Sequence, residues 1–175
     1  KYLGFLPNGI PQKTFARDIN SVILLVSSVM DAKLFKEDQN YFYKWDDVEN
    51  NYYRLLTVYF NSLKELGGFS SMINDDIPKR LSFLYAQFVK LIQSGTIDLS
   101  ENKELLDKVS EQNPMYRELD ATELTGRISG DVLSKSLKKL SGKESSDILV
   151  STNMISVGID IARLNLMTVM GQPKY

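Results

Sequence analysis

The chain has 175 residues, 43% of them hydrophobic and 25% charged, a formal charge of −1, and neither cysteine nor histidine. This is the size and composition of one globular domain, able to bury roughly 70% of its unfolded-chain surface without staples. The two missing residue types exclude disulfides, thiolate chemistry, Cys/His zinc sites and every nucleophile that relies on histidine; the near-neutral charge excludes the strong basic footprint of a dedicated DNA-binding domain.

No apolar run reaches the ~20 residues of a membrane span. The apolar stretch at 21–30 is internal and follows charged residues, so it is not read as a signal peptide. A reducing, cytoplasmic location is expected. The chain opens at Lys1 and closes at Tyr175, and both ends read as cuts through a longer protein.

In chain order, 1–11 is a short apolar segment closed by Pro7, Asn8, Gly9 and Pro11. Phe15, Ile19, Val22, Ile23, Val26, Val29 or Met30, and Leu34 recur at steps of three and four, predicting a helix from about Thr14 to Leu34 with Thr14 as N-cap. Residues 36–50 are charged and aromatic without a period. They read as a surface loop whose Tyr41, Phe42, Tyr43 and Trp45 pack back on the domain, in preference to stacking bases among so many carboxylates.

Arg54–Phe60, rich in β-formers, reads as a buried strand. Asn61-Ser62 is a natural N-cap pair for the helix that follows, and Gly67-Gly68 is expected to interrupt or kink that helix. Residues 77–111 read as helical, with Leu81, Leu84, Tyr85, Phe88, Leu91 and Ile92 on one face and a second helix over Glu101–Ser110. Asp75 and Asp76, just before Pro78, read as helix-start residues rather than a metal or acid/base pair, since no third acidic partner stands near. Asn113-Pro114 breaks the region. A strand and turn over 123–130, a helix over 134–140, and strands over 147–151 and 164–170 complete an α/β pattern that predicts a mainly parallel sheet covered by helices.

Two motifs are absent. No G-x-x-x-x-G-K-[ST] phosphate loop exists: Gly142-Lys143 is followed by Glu144 and ends a helix. No D-E-x-[DH] magnesium motif exists either. The chain is therefore not expected to build an ATP hydrolysis site alone. The positive signal is D-I-L-V-S-T-N-M-I-S-V-G-I-D (147–160). A strand here would deliver Ser151, Thr152 and Asn153 to its carboxyl end, where open α/β sheets bind ligands. Hydroxyls, an amide and backbone N–H groups suit the phosphates of a polymer. Gly158 allows close backbone approach, and Asp160 is an acceptor for a ribose hydroxyl.

The run T-N-M-I-S-V-G-I-D resembles motif V of superfamily 2 helicases, T-x-x-x-x-x-G-x-D. T-V-Y-F-N-S-L-K-E-L (57–66) is similar to motif IV, and E-L-T-G-R-I-S-G (123–130) occupies the place where common helicases carry a His-Gly pair, here without the histidine. The three segments in order resemble the large bacterial DISARM-type DrmA helicases over most of 54–175. About 60 residues separate F-N-S from T-G-R, more than one βα connection needs, which reads as a helical insertion.

The resemblance implies a single second RecA-like domain, truncated before the family's arginine motif: N-terminal helix and loop at 1–53, first strand-helix unit at 54–73, helical insertion at 74–115, and the remainder with motif V at 116–175. It implies nucleic-acid contacts from Thr152, Ser151, Asn153, Asn61, Ser62 and Arg127, and nucleotide contacts from Gly158 and Asp160. Arg127 and Arg163 read equally as ion-paired surface residues. ATP and Mg2+ would be held in the intact protein mainly by residues outside this chain. The implied partners are DNA in preference to RNA, the first RecA-like domain of the same polypeptide, and a protein partner for the insertion, with no membrane. Two readings remain beside it: a non-catalytic protein-interaction module on an α/β scaffold, and a nucleotide-binding α/β domain without a polymer partner.

Overall fold

The computed structural model describes residues 3–5, 8–37, 55–97, 119–141, 146–152 and 164–171, with side chains described only as far as Ser27 in the first helix. The expected helix at Glu101–Ser110, the break at Asn113-Pro114 and the aromatic run at 41–45 lie outside these residues. The described elements are α1 (Gln12–Glu37), β1 (Leu56–Phe60), α2 (Leu63–Ile73), α3 (Asp76–Gln93), β2 (Ala121–Leu124), α4 (Gly130–Ser141), β3 (Ile148–Ser151) and β4 (Leu166–Met170).

The four strands form one sheet in the order β2-β3-β1-β4, and every pairing is parallel. β1 is paired on both sides: Thr57 stands between Leu149 and Met167, and Tyr59 between Ser151 and Val169. A strand flanked and covered in this way must be apolar on both faces, which is why L-T-V-Y-F does not alternate.

Leu56, Val58 and Phe60 join Ile148 and Val150 on one face, beneath α1, α2 and α3. Leu55, Leu124 and Leu149 meet Leu140 of α4 on the other. The result is a helix–sheet–helix sandwich. Thr57 is fully buried and its hydroxyl has no hydrogen-bond partner, a cost of about 1–3 kcal/mol that the surrounding apolar burial must offset.

α1 starts two residues before the expected Thr14 cap, with Phe15 N–H donating to the Pro11 carbonyl at 3.0 Å. Phe15, Ile19 and Ile23 of the expected face pack against the core, but the most buried stripe is shifted to one side of them. Ala16, Asn20, Leu24 and Ser27 are buried, whereas Val22 and Val26 are 40% and 53% exposed. The reason is a polar anchor. Thr168 Oγ1 donates to Asn20 Oδ1 at 2.7 Å, and Asn20 Nδ2 donates to the Ala16 carbonyl at 2.8 Å, which fixes the face that α1 turns toward β4. Asp18 adds a second tie: its carboxylate accepts from Arg17 Nε at 2.8 Å and lies 3.1 Å from Arg80 Nε of α3, close enough for ionic attraction but off the hydrogen-bond line.

α2 corrects the expectation of a break at Gly67-Gly68, for it runs unbroken from Leu63 to Ile73. Ser62 caps it, accepting from Glu65 N–H at 3.3 Å and donating its own proton to Glu65 Oε2 at 2.9 Å. Leu66, Phe69, Met72 and Ile73 are buried beneath it. Each such side chain is worth about 1.5–3 kcal/mol, enough to outweigh about 1 kcal/mol per helical glycine.

α3 corresponds to the first of the two helices read over 77–111; the second lies outside the described residues. Gly95 adopts φ +70° and donates to the Ile92 carbonyl at 3.0 Å, which closes the helix at Gln93. Asp75 stands at its N-cap without a side-chain capping bond and pairs with Lys79 instead, at 2.5 Å. Ile77, Leu81 and Tyr85 are buried, while Leu91, expected on the same face, is 42% exposed. None of the described helices is long and apolar enough to cross a membrane.

Both glycines of α2 are exposed, and a Cβ built on either meets nothing within 4 Å. Gly67→Ala and Gly68→Ala are each expected to raise folding stability by about 0.5–1 kcal/mol, read as a higher urea midpoint at unchanged slope. A lower midpoint would mean that helix bending, not propensity, governs the pair.

Candidate functional site

Because all four strands run parallel, their carboxyl ends share one edge of the sheet. The chain leaving β1 turns into α2 on one face, and the chain leaving β2 turns into α4 on the other. β3 lies between β1 and β2, so its own exit sits where the two connections diverge. In open α/β sheets, ligands bind where connections diverge in this way.

Thr152 occupies that exit. Its N–H reaches the Leu124 carbonyl at 3.4 Å, extending the ladder by one residue and holding the threonine in place, half-buried. Ser151 is different. It is fully buried, and its hydroxyl donates to the Thr152 carbonyl at 2.9 Å. Of the two, the structure turns Thr152 toward the edge and Ser151 into the fold. Asn153, Gly158, Asp160 and Arg163 lie outside the described residues.

On the neighbouring strand, Asn61 follows β1 directly and is half-buried. Ser62, the next residue, has its hydroxyl engaged in the cap of α2. Asn61 packs against the end of β4: Gly171 has φ +89°, and a Cβ on it would lie 3.0 Å from Asn61 Nδ2. Continuing the Phe60–Met170 register by one residue brings Asn61 and Gly171 level. Continuing the Tyr59–Ser151 register in the same way sets Thr152 level with Phe60, one residue short of Asn61 and Gly171.

Arg127 belongs to the turn after β2, closed by Ile128 N–H donating to the Thr125 carbonyl at 3.3 Å. Its Nε and Nη2 both donate to the Glu123 carboxylate at 2.7 Å, and Thr125 Oγ1 donates to the same carboxylate at 2.7 Å. Of the readings open for Arg127, the ion pair is present in the structure, with Glu123 as its partner. A side-on fork of this kind leaves the Nη1 donors unused by Glu123. The Arg127 hydrogen bonds hold the Glu123 carboxyl below the usual glutamate range, against burial, which pushes it up, and with a smaller contribution from Thr125. Glu123 and Thr125 were not read as site residues from the sequence; the E-x-T-x-R spacing is their only trace there.

A groove of about 560 Å3 runs along β2 and α4, lined by Thr122, Glu123, Arg127, Lys135 and Lys139 among others. It follows the flank of the sheet, with Lys139 tied to Asp120 at the amino end of β2 at 2.8 Å. Among the described residues no group of three or more acidic side chains is placed to hold a metal ion.

Residues 76–174, more than half of the chain, match the family described as the helicase conserved C-terminal domain. A DISARM protein DrmA from Bacillus paralicheniformis is 38% identical over 125 residues, covering 70% of this chain and 9% of that protein. The chain thus corresponds to a small part of its relative. No solved structure matches it.

The Glu123–Arg127 pair makes a pH prediction. Because the folded-state pKa of Glu123 is lowered, the stability it contributes is present above the ordinary glutamate range and is lost as pH falls through the lowered value. Glu123→Gln is expected to flatten the acid limb of a plot of unfolding midpoint against pH. Parallel acid limbs for the two proteins would show that the pair does not support the folded state.

Proposed function

The chain belongs to the helicase conserved C-terminal domain family, and from that membership we propose that it is the second RecA-like domain of an ATP-dependent nucleic-acid motor, contributing polymer-backbone contacts and one side of a nucleotide site. What supports this reading is the topology of the carboxyl edge, where the half-buried Thr152 stands between two diverging connections with Asn61 on the adjacent strand. A hydroxyl and a carboxamide at the ends of neighbouring strands, one residue apart in level, can hold backbone phosphates without reading base sequence. Arg127, held from behind by Glu123, presents its remaining donors to a third. Ser151 and Ser62, whose hydroxyls are engaged internally, take positioning parts in this proposal: one fixes the Thr152 backbone, the other fixes the chain just after Asn61.

The nucleotide contacts of the proposal fall to Gly158 and Asp160, and Asn153 joins the polymer contacts. ATP and its magnesium ion are assigned chiefly to residues outside this chain, and the described residues supply no acidic cluster for the metal. ATP would bring the driving free energy of hydrolysis; the part of this chain is to hold the polymer while the site closes. DNA is the first polymer to test, and the cytoplasm the proposed location.

Within the proposed domain, 74–115 forms the helical insertion. Its first helix, α3, is anchored by Ile77, Leu81 and Tyr85 and exposes Phe83 and Leu91 at 53% and 42%. That exposure favours a protein partner as a second task for the same domain.

Two experiments test the reading. In the intact protein, Thr152→Val keeps the shape of the side chain and removes its hydroxyl. It is expected to weaken single-stranded nucleic-acid binding roughly tenfold, the order expected for one hydrogen bond to a charged group, and to lower polymer-stimulated ATP turnover with it. Unchanged stimulation would remove Thr152 from the site. The isolated chain is expected to show no ATP turnover above background; turnover that persists through repurification would overturn the division of the site between domains.

A further inference from the structure

We propose that Gly171 is a positioning residue: its bare Cα makes the space in which the Asn61 carboxamide is held at the carboxyl edge of the sheet. The inference rests on the polymer-contact reading of Asn61 given above. Asn61 lies between two fixed points. Phe60, on one side, is locked in the ladder with Met170. On the other side Ser62 is locked as the cap of α2 by its exchange with Glu65. The backbone at Asn61 therefore has little freedom to shift, and crowding there must be relieved by rotation of the side chain.

Gly171 is where such crowding would come from. A Cβ at that position would stand 3.0 Å from Asn61 Nδ2, closer than ordinary contact. The backbone at Gly171 also has φ +89°, a conformation that side chains with a Cβ rarely adopt. The two requirements have separate consequences. The positive φ affects the stability of the turn after β4. The contact with Nδ2 affects only where the carboxamide points, and an amide donor serves a phosphate oxygen only within a narrow range of distance and angle.

The test is a double-mutant cycle in the intact protein, with fluorescently labelled oligothymidylate as the probe and thermal midpoints measured on the same samples. Asn61→Ala and Gly171→Ala are each expected to weaken binding about fivefold, on the scale of the coupling energies found between contacting residues. The double variant is expected to bind no more weakly than the weaker single, because Gly171 acts through Asn61. Should Gly171→Ala fail to fold, Gly171→Asn, which tolerates positive φ better and still adds a Cβ, takes its place. Multiplying effects in the double variant would overturn the proposal, since Gly171 would then act through strain alone. So would a loss of affinity that merely follows the loss of folded protein. Thr152→Val separates the two levels. If it weakens binding while Asn61→Ala does not, the edge still meets the polymer through Thr152, and the parts given to Asn61 and Gly171 both fall. If neither variant changes binding, that reading itself fails and takes the proposal with it.

Discussion

The burial of β1 on both faces and its pairing on both edges is the constraint from which the other features follow. A parallel strand in that position needs apolar residues throughout, a helix layer above and below, and neighbours whose register is fixed along its whole length. Leu56, Val58 and Phe60 supply one core and Leu55 begins the other. The register with β3 and β4 then sets which residues emerge together at the carboxyl edge. Asn61 and Gly171 emerge level, with Thr152 one residue behind them, because the strands beneath them are locked in step and not because the three segments are near in sequence.

The polar residues at this edge divide by what the fold requires of them. Ser62 caps α2 and Ser151 bonds its own neighbour, so both hydroxyls are satisfied within the protein. Glu123 collects donors from Thr125 and Arg127, which stiffens the turn after β2 and fixes the plane of the guanidinium. A contact surface built on such supports holds its geometry before a ligand arrives, which lowers the ordering cost of binding. The amino end of the sheet has a counterpart: Asp147 accepts from the Asp120 N–H at 3.0 Å, and Asp120 is tied to Lys139. Both ends of β2 are thus pinned by carboxylates, and the middle by packing.

Much of the fold was legible in local sequence. Every strand expected from β-formers at 54–60, 123–130, 147–151 and 164–170 has a counterpart, and the parallel sheet follows from their alternation with helices. The errors share one cause. Gly67-Gly68 was expected to break α2 on intrinsic propensity, but the apolar face beneath it and the Ser62 cap override that preference. Of the face read for α1, Phe15, Ile19 and Ile23 do pack against the core, but Val22 and Val26 are exposed because a buried asparagine bonded to Thr168 sets the angle of the helix. Tertiary contact decided both cases, and it has no period to detect.

The sequence by itself determined the class of fold, the order of its elements and the motif resemblance, because these depend on residue type and spacing along the chain. It also settled what this chain lacks, since no folding can supply a missing phosphate loop or histidine. Only the tertiary structure decided which of the polar residues near the motif face outward. Ser151 and Thr152 are adjacent and chemically alike, yet one is sealed in the sheet and the other stands at its edge. That difference arises because β3, buried on both faces, ends at Ser151, which leaves Thr152 just past the covered ladder, and where that cover ends is a property of the assembled sheet.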